Sequence, residues 1–352
     1  MRRAAVLGAL ALALVGCGGG GSSAPELEPG TLRVGVLANL STGRDRDLVR
    51  AARVAVDQVN APGGIERKVR LRLLVRNTPT PQAAGQAARA LTAAGVRMIV
   101  LPCEPAQQVG AVAVTQRRRA VAVAPCNTLP RLWLRFRFAW PAALGSNREA
   151  AALADALADD GLKQIGVLGH GAFVRYLGDA LHDRGIAIGR VVPVVIGPGI
   201  PHALDRVLQH TQLSDQVFGT HTLEHAGVFR RSDDVFDGLV FTTFGFAEPG
   251  NDLDEFDVRY ETLFGRRPAS SGVARGYDAI RVISAAIDDA NSTRPRDVAA
   301  SIADGLDVHG AFGTLHYRPG RRNPEVSVAV VRVEHSRETL VDRVDPKHVP
   351  AP

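Results

Sequence analysis

From Thr31 onward, short apolar runs rich in β-branched residues alternate with longer alanine-rich runs whose apolar residues recur at helical spacing. The short runs predict strands at Leu32–Leu37, Val69–Val75, Ile99–Leu101, Ala120–Ala124 and Ile165–Leu168. The long runs predict helices at Leu48–Val59, Gln82–Ala94, Ala106–Gln116 and Asn147–Asp160. This alternation favours a parallel sheet with helices on both faces. Ligands in such sheets bind beyond the carboxyl ends of the strands, which makes the loops at 38–43, 102–106, 125–129, 169–174 and 219–225 the functional candidates.

The first residues have the layout of an export signal. Met1-Arg2-Arg3 precedes a thirteen-residue apolar run, Ala4–Gly16, which is followed by Cys17. As a helix this run would be only about 20 Å long, too short for a bilayer core of about 30 Å. We therefore interpret residues 1–16 as a signal peptide. No second apolar segment approaches spanning length.

Leu14-Val15-Gly16-Cys17 resembles the bacterial lipobox, in which a peptidase cuts before a cysteine that carries lipid. Cys17 is thus predicted to be the lipidated first residue of an exported protein that stays at the cell membrane. The alternative is ordinary secretion with Cys17 discarded. Residues 17–30, rich in glycine, serine and proline, are predicted to form a flexible tether.

The charge distribution argues against a nucleic-acid-binding protein. The formal net charge of +6 becomes +4 without Arg2 and Arg3, the basic residues are scattered, and only 5% of residues are aromatic. The densest basic group is Arg117-Arg118-Arg119, which we interpret as a solvated helix end before a strand.

Two of the three cysteines remain once Cys17 is set aside. Cys103 and Cys126 each follow a proline that ends an apolar run. In an oxidising compartment, and on neighbouring parallel strands, they are predicted to form a disulfide at the carboxyl edge of the sheet. The alternative is a pair of free buried thiols on strands that are not adjacent.

One motif favours an enzyme. His221-Thr222-Leu223-Glu224-His225 matches H-x-x-E-H, which on a helix places two imidazoles on one face to hold zinc. Five positions with three fixed residues arise readily by chance, and Val217–Thr220 predicts a strand end leading into a loop. We therefore predict no catalytic residue, metal or cofactor, and keep a zinc hydrolase as an alternative.

Several stretches together resemble the extracytoplasmic solute-binding proteins of the branched-chain amino acid type. They are Arg33–Leu37, Ala51–Gly64, Gly276–Ile280 and Gly310–Tyr317, and their order and spacing carry the likeness over nearly all of 31–345. The resemblance implies the type I periplasmic binding fold, an α/β architecture of two doubly wound lobes joined by a three-strand hinge. Lobe one is expected to comprise 31–139 and 247–311, lobe two 140–246 and 312–345, and the tail 346–352. Lobe two looks about one strand–helix unit short between Val195 and Val217.

The resemblance also implies a clamp for a small polar solute, such as an amino acid, between the lobes. In amino-acid-binding members a hydroxyl residue and a threonine follow the fourth and fifth strands. In this sequence Pro105 stands at the hydroxyl position and Thr128, beside Asn127, at the threonine position. His221 falls where an acid meets the ammonium group, and Phe173 where a tyrosine is common. An ammonium group without its carboxylate would cost several kcal/mol, so an ordinary amino acid is not assured as the ligand.

Three of these positions have a second interpretation. Glu104 would replace the missing acid or would be a solvated loop carboxylate. Thr128 would contact the ligand or cap a helix. Tyr277 is a further candidate ligand residue, although we favour a role in the core of its helix. The expected function is delivery to the membrane subunits of an ABC importer by a monomer; a ligand-sensing lipoprotein of the same fold is the alternative.

Overall fold

The computed structural model describes residues 27–190, 194–196, 217–224 and 236–352. The predicted signal peptide, Cys17, most of the tether and His225 lie outside the described residues. In the described part of the chain, no helix has both the length and the apolar composition needed to cross a bilayer.

The first half of the chain forms a five-stranded parallel sheet with the strand order β2-β1-β3-β4-β5. Its strands are β1 (Gly30–Ala38), β2 (Val69–Asn77), β3 (Met98–Val100), β4 (Val121–Ala124) and β5 (Ala139–Pro141). The helices packed with it are α1 (Gly43–Asn60), α2 (Pro81–Ala93), α3 (Pro105–Arg117), α6 (Asp252–Phe264), α7 (Arg275–Asp289) and α8 (Pro295–Asp304). We call this sheet with its helices lobe one. Leu27 is buried in its core.

The second sheet defines lobe two and has the strand order β14-β13-β10-β9-β8-β6-β7. Its parallel strands are β6 (Gln164–Leu168), β7 (Ala187–Ile188), β8 (Val194–Ile196), β9 (Val217–Gly219) and β10 (Val240–Thr243), and its antiparallel strands are β13 (Val328–Glu334) and β14 (Arg337–Val344). Helices α4 (Ser146–Asp159) and α5 (Ala172–Asp183) bury their apolar faces in its core. Residues 197–216, where a strand–helix unit is predicted to be missing, lie outside the described residues.

The chain passes between the two lobes three times. It leaves lobe one after β5, returns after β10, and enters lobe two again before β13. The hairpin of β11 (Leu306–Gly310) and β12 (Gly313–Tyr317) precedes the last passage. Leu315 and Tyr317 of β12 belong to the lobe-one core, and the Tyr317 hydroxyl donates to the Pro141 carbonyl at 2.7 Å. The predicted α/β class with two doubly wound lobes is confirmed.

Local sequence explains where the elements begin. Helix α1 starts at Gly43, earlier than predicted, because the Thr42 hydroxyl caps it by accepting from the Asp45 amide at 3.2 Å. Pro105 is the first residue of α3, a position that suits proline because the missing N–H has no helical partner. The other predicted strands and helices of the first half agree with the structure to within about two residues at each end.

Helices α1 and α7 approach closely at a glycine. A methyl group built on Gly276 would lie 2.1 Å from the Leu48 carbonyl oxygen, which is backbone and has no side chain to move aside. The Gly276–Ile280 stretch that supports the family resemblance therefore includes a packing requirement between two helices of lobe one.

We predict that Gly276→Ala destabilises the protein by about 1–3 kcal/mol, since the helices must separate to admit the methyl group. Gly178→Ala in α5 is the matched control, because its methyl group would meet only the Ile188 side chain, at 3.8 Å. That change should be neutral or stabilise by up to about 1 kcal/mol. Equal denaturant midpoints for the two variants would contradict this account.

Asp278, two residues further along α7, is a buried acid that holds the hairpin. Its Oδ1 accepts from the Ala311 amide at 2.6 Å, and a methyl group on Gly310 would lie 2.5 Å from the same oxygen. Burial raises the pKa of Asp278 to about 7, whereas the hydrogen bond from Ala311 and the charge of Arg281 act in the opposite direction. The folded state therefore keeps this carboxyl protonated at a pH where an unfolded chain has lost the proton.

The raised pKa of Asp278 predicts a stability that falls as pH rises. Between about pH 4 and 7 the folded protein binds the extra proton, so the free energy of unfolding should decline by up to about 1.4 kcal/mol per pH unit from this group. Asp278→Asn keeps the acceptor for Ala311 and should flatten that decline. The exposed Asp304→Asn serves as the control in urea titrations at several pH values. An identical slope in wild type and Asp278→Asn would refute the prediction.

Candidate ligand-binding site

A disulfide joins two loops at the carboxyl edge of the lobe-one sheet. Cys103 follows β3 and Cys126 follows β4, and their Cα atoms lie 5.0 Å apart. Both cysteines pack against Leu48 of α1. The bridge thus fixes the loops that carry Glu104 and Thr128 relative to each other.

Thr128 is exposed at the end of β4, whereas its neighbour Asn127 is buried. The Asn127 amide nitrogen donates to Asn323 at 2.9 Å, and its oxygen accepts from the Trp133 indole at 2.8 Å. Thr128 caps no helix in the described structure, because the 3-10 helix that follows begins at Pro130 with Leu129 as its N-cap residue. Asn127 therefore positions the loop, and the Thr128 side chain remains accessible.

Glu104 and Pro105 lie on the neighbouring loop. Glu104 is exposed and is the N-cap residue of α3, although its side chain accepts no capping hydrogen bond. Pro105 is partly exposed at the first position of the helix. Glu104, Pro105 and Thr128 thus share one edge of the lobe-one sheet.

Two predicted ligand residues lie in the cores of their lobes. Phe173 is 4% exposed and packs in lobe two with Leu153 and Leu177. Tyr277 is 8% exposed, donates to Gln58 at 2.6 Å, and packs edge-on against Phe256 in lobe one. The structure does not bring either side chain together with the exposed Thr128 and Glu104.

His221 lies just beyond β9 and is held by a buried glutamate. Its backbone amide and its Nδ1 both contact Glu149 Oε1, at 3.1 and 2.8 Å. Thr242 Oγ1 donates to the same oxygen at 3.2 Å. The Glu149 side chain is only 3% exposed and sits in the first turn of α4, where the helix N-terminus favours a negative charge. With Nδ1 turned to the carboxylate, Nε2 is the atom of His221 left for another partner.

The His221–His225 motif begins in a single 3-10 turn, His221–Leu223. Glu224 is occupied elsewhere: its carboxylate accepts from Thr243 Oγ1 at 2.6 Å, from Ser271 Oγ at 2.7 Å and from the Ser271 amide. Among the residues that the structure describes, no group of three His, Cys, Asp or Glu side chains could hold a metal ion. His225 lies outside them.

Phe244, directly after β10, connects His221 to a buried arginine. The Phe244 and His221 ring centroids lie 4.5 Å apart, and the Arg275 guanidinium carbon lies 4.4 Å from the Phe244 centroid. Arg275 is the first residue of α7 in lobe one and His221 follows β9 of lobe two, so Phe244, which packs in the lobe-one core, connects the two lobes. The Ser271–Glu224 hydrogen bonds cross at the same place.

Arg275 is 8% exposed and only partly satisfied. Its Nε donates to the Gly272 carbonyl at 2.7 Å, but within the described ranges neither terminal nitrogen has a hydrogen-bond or ion-pair partner. Burial, followed by the charge of Arg44, lowers the pKa of Arg275 to about 10, and Glu224, Glu149 and Asp45 act in the opposite direction. The guanidinium stays charged at neutral pH and offers the N–H groups of its two terminal nitrogens at the lobe junction.

Glu149, Phe244 and Arg275 were not among the residues predicted from the sequence. A weak signal existed for two of them. Glu149 precedes Leu153 and Leu157 at intervals of four on the buried face of α4, and Arg275 interrupts the small-residue and apolar run Gly272–Ile280. An isolated charge on an apolar helix face indicates either a buried partner or a site.

A cavity of about 1090 Å³ lies beside this junction, and Glu224 and Ser271 line it together with Asp257 and His335. Burial raises the pKa of Asp257 to about 6. Arg275 and His221 do not line this cavity. The cavity therefore does not include the contacts among Arg275, Phe244 and His221.

No family model matches the sequence. No curated protein matches it either. Solved structures do match the fold. The leucine-binding protein LivK of Thermotoga maritima has 17% sequence identity and a TM-score of 0.73, covering 90% of this chain and 99% of its own. The protein LivJ of Streptococcus pneumoniae, a substrate-binding protein of a branched-chain amino acid transporter in complex with isoleucine, has 12% identity and a TM-score of 0.75, with 90% and 100% covered.

A solute-binding protein of an ABC transporter from Rhodopseudomonas palustris, in complex with 3,4-dihydroxybenzoic acid, has 13% identity and a TM-score of 0.77, covering 91% and 99%. At these identities the likeness shows the fold, which is the type I periplasmic binding fold predicted from the sequence.

We predict that loss of the Cys103–Cys126 bridge lowers the free energy of unfolding by about 3 kcal/mol, because the bridge closes a loop with a sequence separation of 23 residues. The double variant Cys103→Ser/Cys126→Ser and reduced wild type should have the same lowered midpoint in urea. Reductant should not affect the double variant. An unchanged midpoint for reduced wild type would contradict the prediction.

Proposed function

We propose that this chain, with its type I periplasmic binding fold, is a membrane-tethered extracytoplasmic solute-binding protein that delivers a small polar solute to an ABC importer. The proteins that share the fold include binding components for amino acids and for aromatic acids. Cys17 would carry the lipid anchor, and the monomer would need no metal, cofactor or catalytic residue.

The mechanism would be closure of two lobes over the solute. The three passages of chain between the lobes provide a hinge. A solute that contacts both lobes favours the closed state by its differential affinity for it, and that state would dock on the permease.

Arg275 is the observation that carries a ligand assignment. A guanidinium more than nine-tenths buried, whose two terminal nitrogens have no acceptor within the described residues, favours an anion as its partner. Arg275 belongs to lobe one and His221 to lobe two, with Phe244 between them where the chain returns to lobe one. An anionic group held between them would join the lobes.

We infer that the solute is a carboxylate. Isoleucine and 3,4-dihydroxybenzoic acid, found in the two ligand-bound structures, share this group. Arg275 would bind it bidentately, with His221 of lobe two beside it. Thr128 and Glu104 would contact the part of the solute that faces the lobe-one edge, next to Pro105. Asn127, Phe173 and Tyr277 would support the site from within the lobes.

The test is a calorimetric and thermal-shift screen of isoleucine, leucine, benzoate and 3,4-dihydroxybenzoate, with benzamide as the neutral analogue of benzoate. A binder at one hundred times its dissociation constant should stabilise the protein by about 2.7 kcal/mol. Arg275→Gln should weaken carboxylate binding about 10- to 100-fold, as expected for loss of hydrogen bonds to a charged group. Thr128→Val should weaken binding and leave the fold intact.

Arg281→Gln is the matched control, because Arg281 lies on the same helix and donates to the His309 carbonyl away from Phe244. Its affinity should match wild type. Binding of benzamide as tight as that of benzoate, or a carboxylate affinity that Arg275→Gln leaves unchanged, would remove Arg275 from the site. Absence of any binder among small polar solutes would argue against the proposed function.

A further inference from the structure

Six arginines line a groove at the amino end of the lobe-one sheet. The groove has a volume of about 630 Å³, and its other lining residues are Phe138 and Pro295. The arginines are Arg97, Arg118, Arg119, Arg137, Arg294 and Arg296. No acidic residue lines it.

These charges are unpaired within the part of the chain that the structure describes. None of the six forms an ion pair there, and only Arg97 donates a side-chain hydrogen bond, to the carbonyls of Thr92 and Val96. The other five are exposed. A concave surface with one sign of charge concentrates counter-ions of the opposite sign. The groove therefore suits a surface of many anionic groups.

The groove lies at the edge of the sheet where the chain enters lobe one. Val34, Met98 and Val121 are aligned across β1, β3 and β4, so Arg97 and Arg119 come at the beginnings of their strands. Strand β1 starts four residues before Val34, at Gly30, and extends beyond the same edge by about 13 Å. The amino-terminal segment thus leaves the body beside the arginines and opposite the edge that carries Thr128.

The distance to the proposed lipid anchor is short. Leu27, which is buried, lies ten positions after Cys17, a reach of about 35 Å at full extension and about 18 Å as a random coil. A lipid on Cys17 would hold this end of lobe one within that distance of the bilayer.

We propose that the arginine groove binds anionic phospholipid headgroups of the membrane that anchors the protein. The proposal rests on the tether of the proposed function, and it adds a second, electrostatic contact that sets the orientation of the body. With the amino edge of the lobe-one sheet on the membrane, the loops around Thr128 at the opposite edge remain in water. Basic residues close to an anionic membrane each strengthen binding by roughly fivefold.

The test compares vesicles of phosphatidylcholine with and without phosphatidylglycerol, using the proposed mature chain, residues 17–352, with Cys17→Ser so that neither the signal peptide nor covalent lipid saturates binding. The groove variant replaces Arg118, Arg119, Arg137 and Arg296 by Gln. The control replaces four exposed arginines outside the groove, Arg175, Arg190, Arg259 and Arg337, and has the same net charge. We expect wild type and control to prefer the anionic vesicles at low salt and the groove variant to lose at least tenfold of that preference.

Three results would overturn the proposal. The first is an equal loss of preference for anionic vesicles in the groove variant and the control. The second is the absence of that preference in wild type. The third is displacement of wild type from the vesicles by millimolar inorganic phosphate at constant ionic strength. The last result would assign the groove to free phosphate. Carboxylate binding by the groove variant, measured in parallel, should equal wild type, which separates this test from that of the solute site.

Discussion

A buried arginine at the boundary between the two lobes is the charge around which the described side chains of the junction are arranged. Arg275 loses hydration at the start of α7, and its face rests on Phe244, where the chain returns from lobe two to lobe one. The nearby carboxylates of Glu149 and Glu224 favour its charged form, yet each is directed to other donors, His221 and Ser271. The positive charge is therefore compensated at a distance while its strongest donors stay available. Such an arrangement fits a solute carboxylate better than a permanent internal ion pair.

The same junction explains why His221 can stand where the family pattern expects an acid. The negative charge is still present, but it comes from Glu149 on α4, seventy-two positions away in the sequence. Glu149 contacts the backbone amide and the Nδ1 atom of His221, and Nε2 has no partner among the described residues. A histidine backed by a carboxylate has different ligand chemistry from a bare glutamate, because it can donate to an anion as well as accept from a cation.

Features encoded by local periodicity could be predicted from the sequence, whereas those that depend on contacts between distant residues could not. The strands and helices of lobe one follow from apolar spacing, and the Cys103–Cys126 bridge follows from two strands that each end in a proline and a cysteine. Phe173 and Tyr277 illustrate the limit: an aromatic residue near a strand end looks the same whether it faces a cleft or a core, and the structure buries both. Arg275 and Phe244 acquire a role only when the two lobes meet, which no spacing along the chain records. The position of Pro105 could again be predicted from local sequence. Proline suits the first position of α3, and its backbone nitrogen has no hydrogen to donate to a ligand.

The lobe-one sheet has chemically different ends because parallel strands put all their beginnings at one edge and all their ends at the other. Loops after β3 and β4 bring together a disulfide, an exposed threonine and an exposed glutamate, and residues before the same strands bring together arginines. Since β1 is an interior strand of this sheet and begins at the arginine edge, residues 27–30 lead into the sheet from that edge. A tether attached at that edge keeps the opposite edge away from the attachment point. The topology of the sheet therefore determines which surface the proposed amino-terminal anchor would hold nearest the membrane.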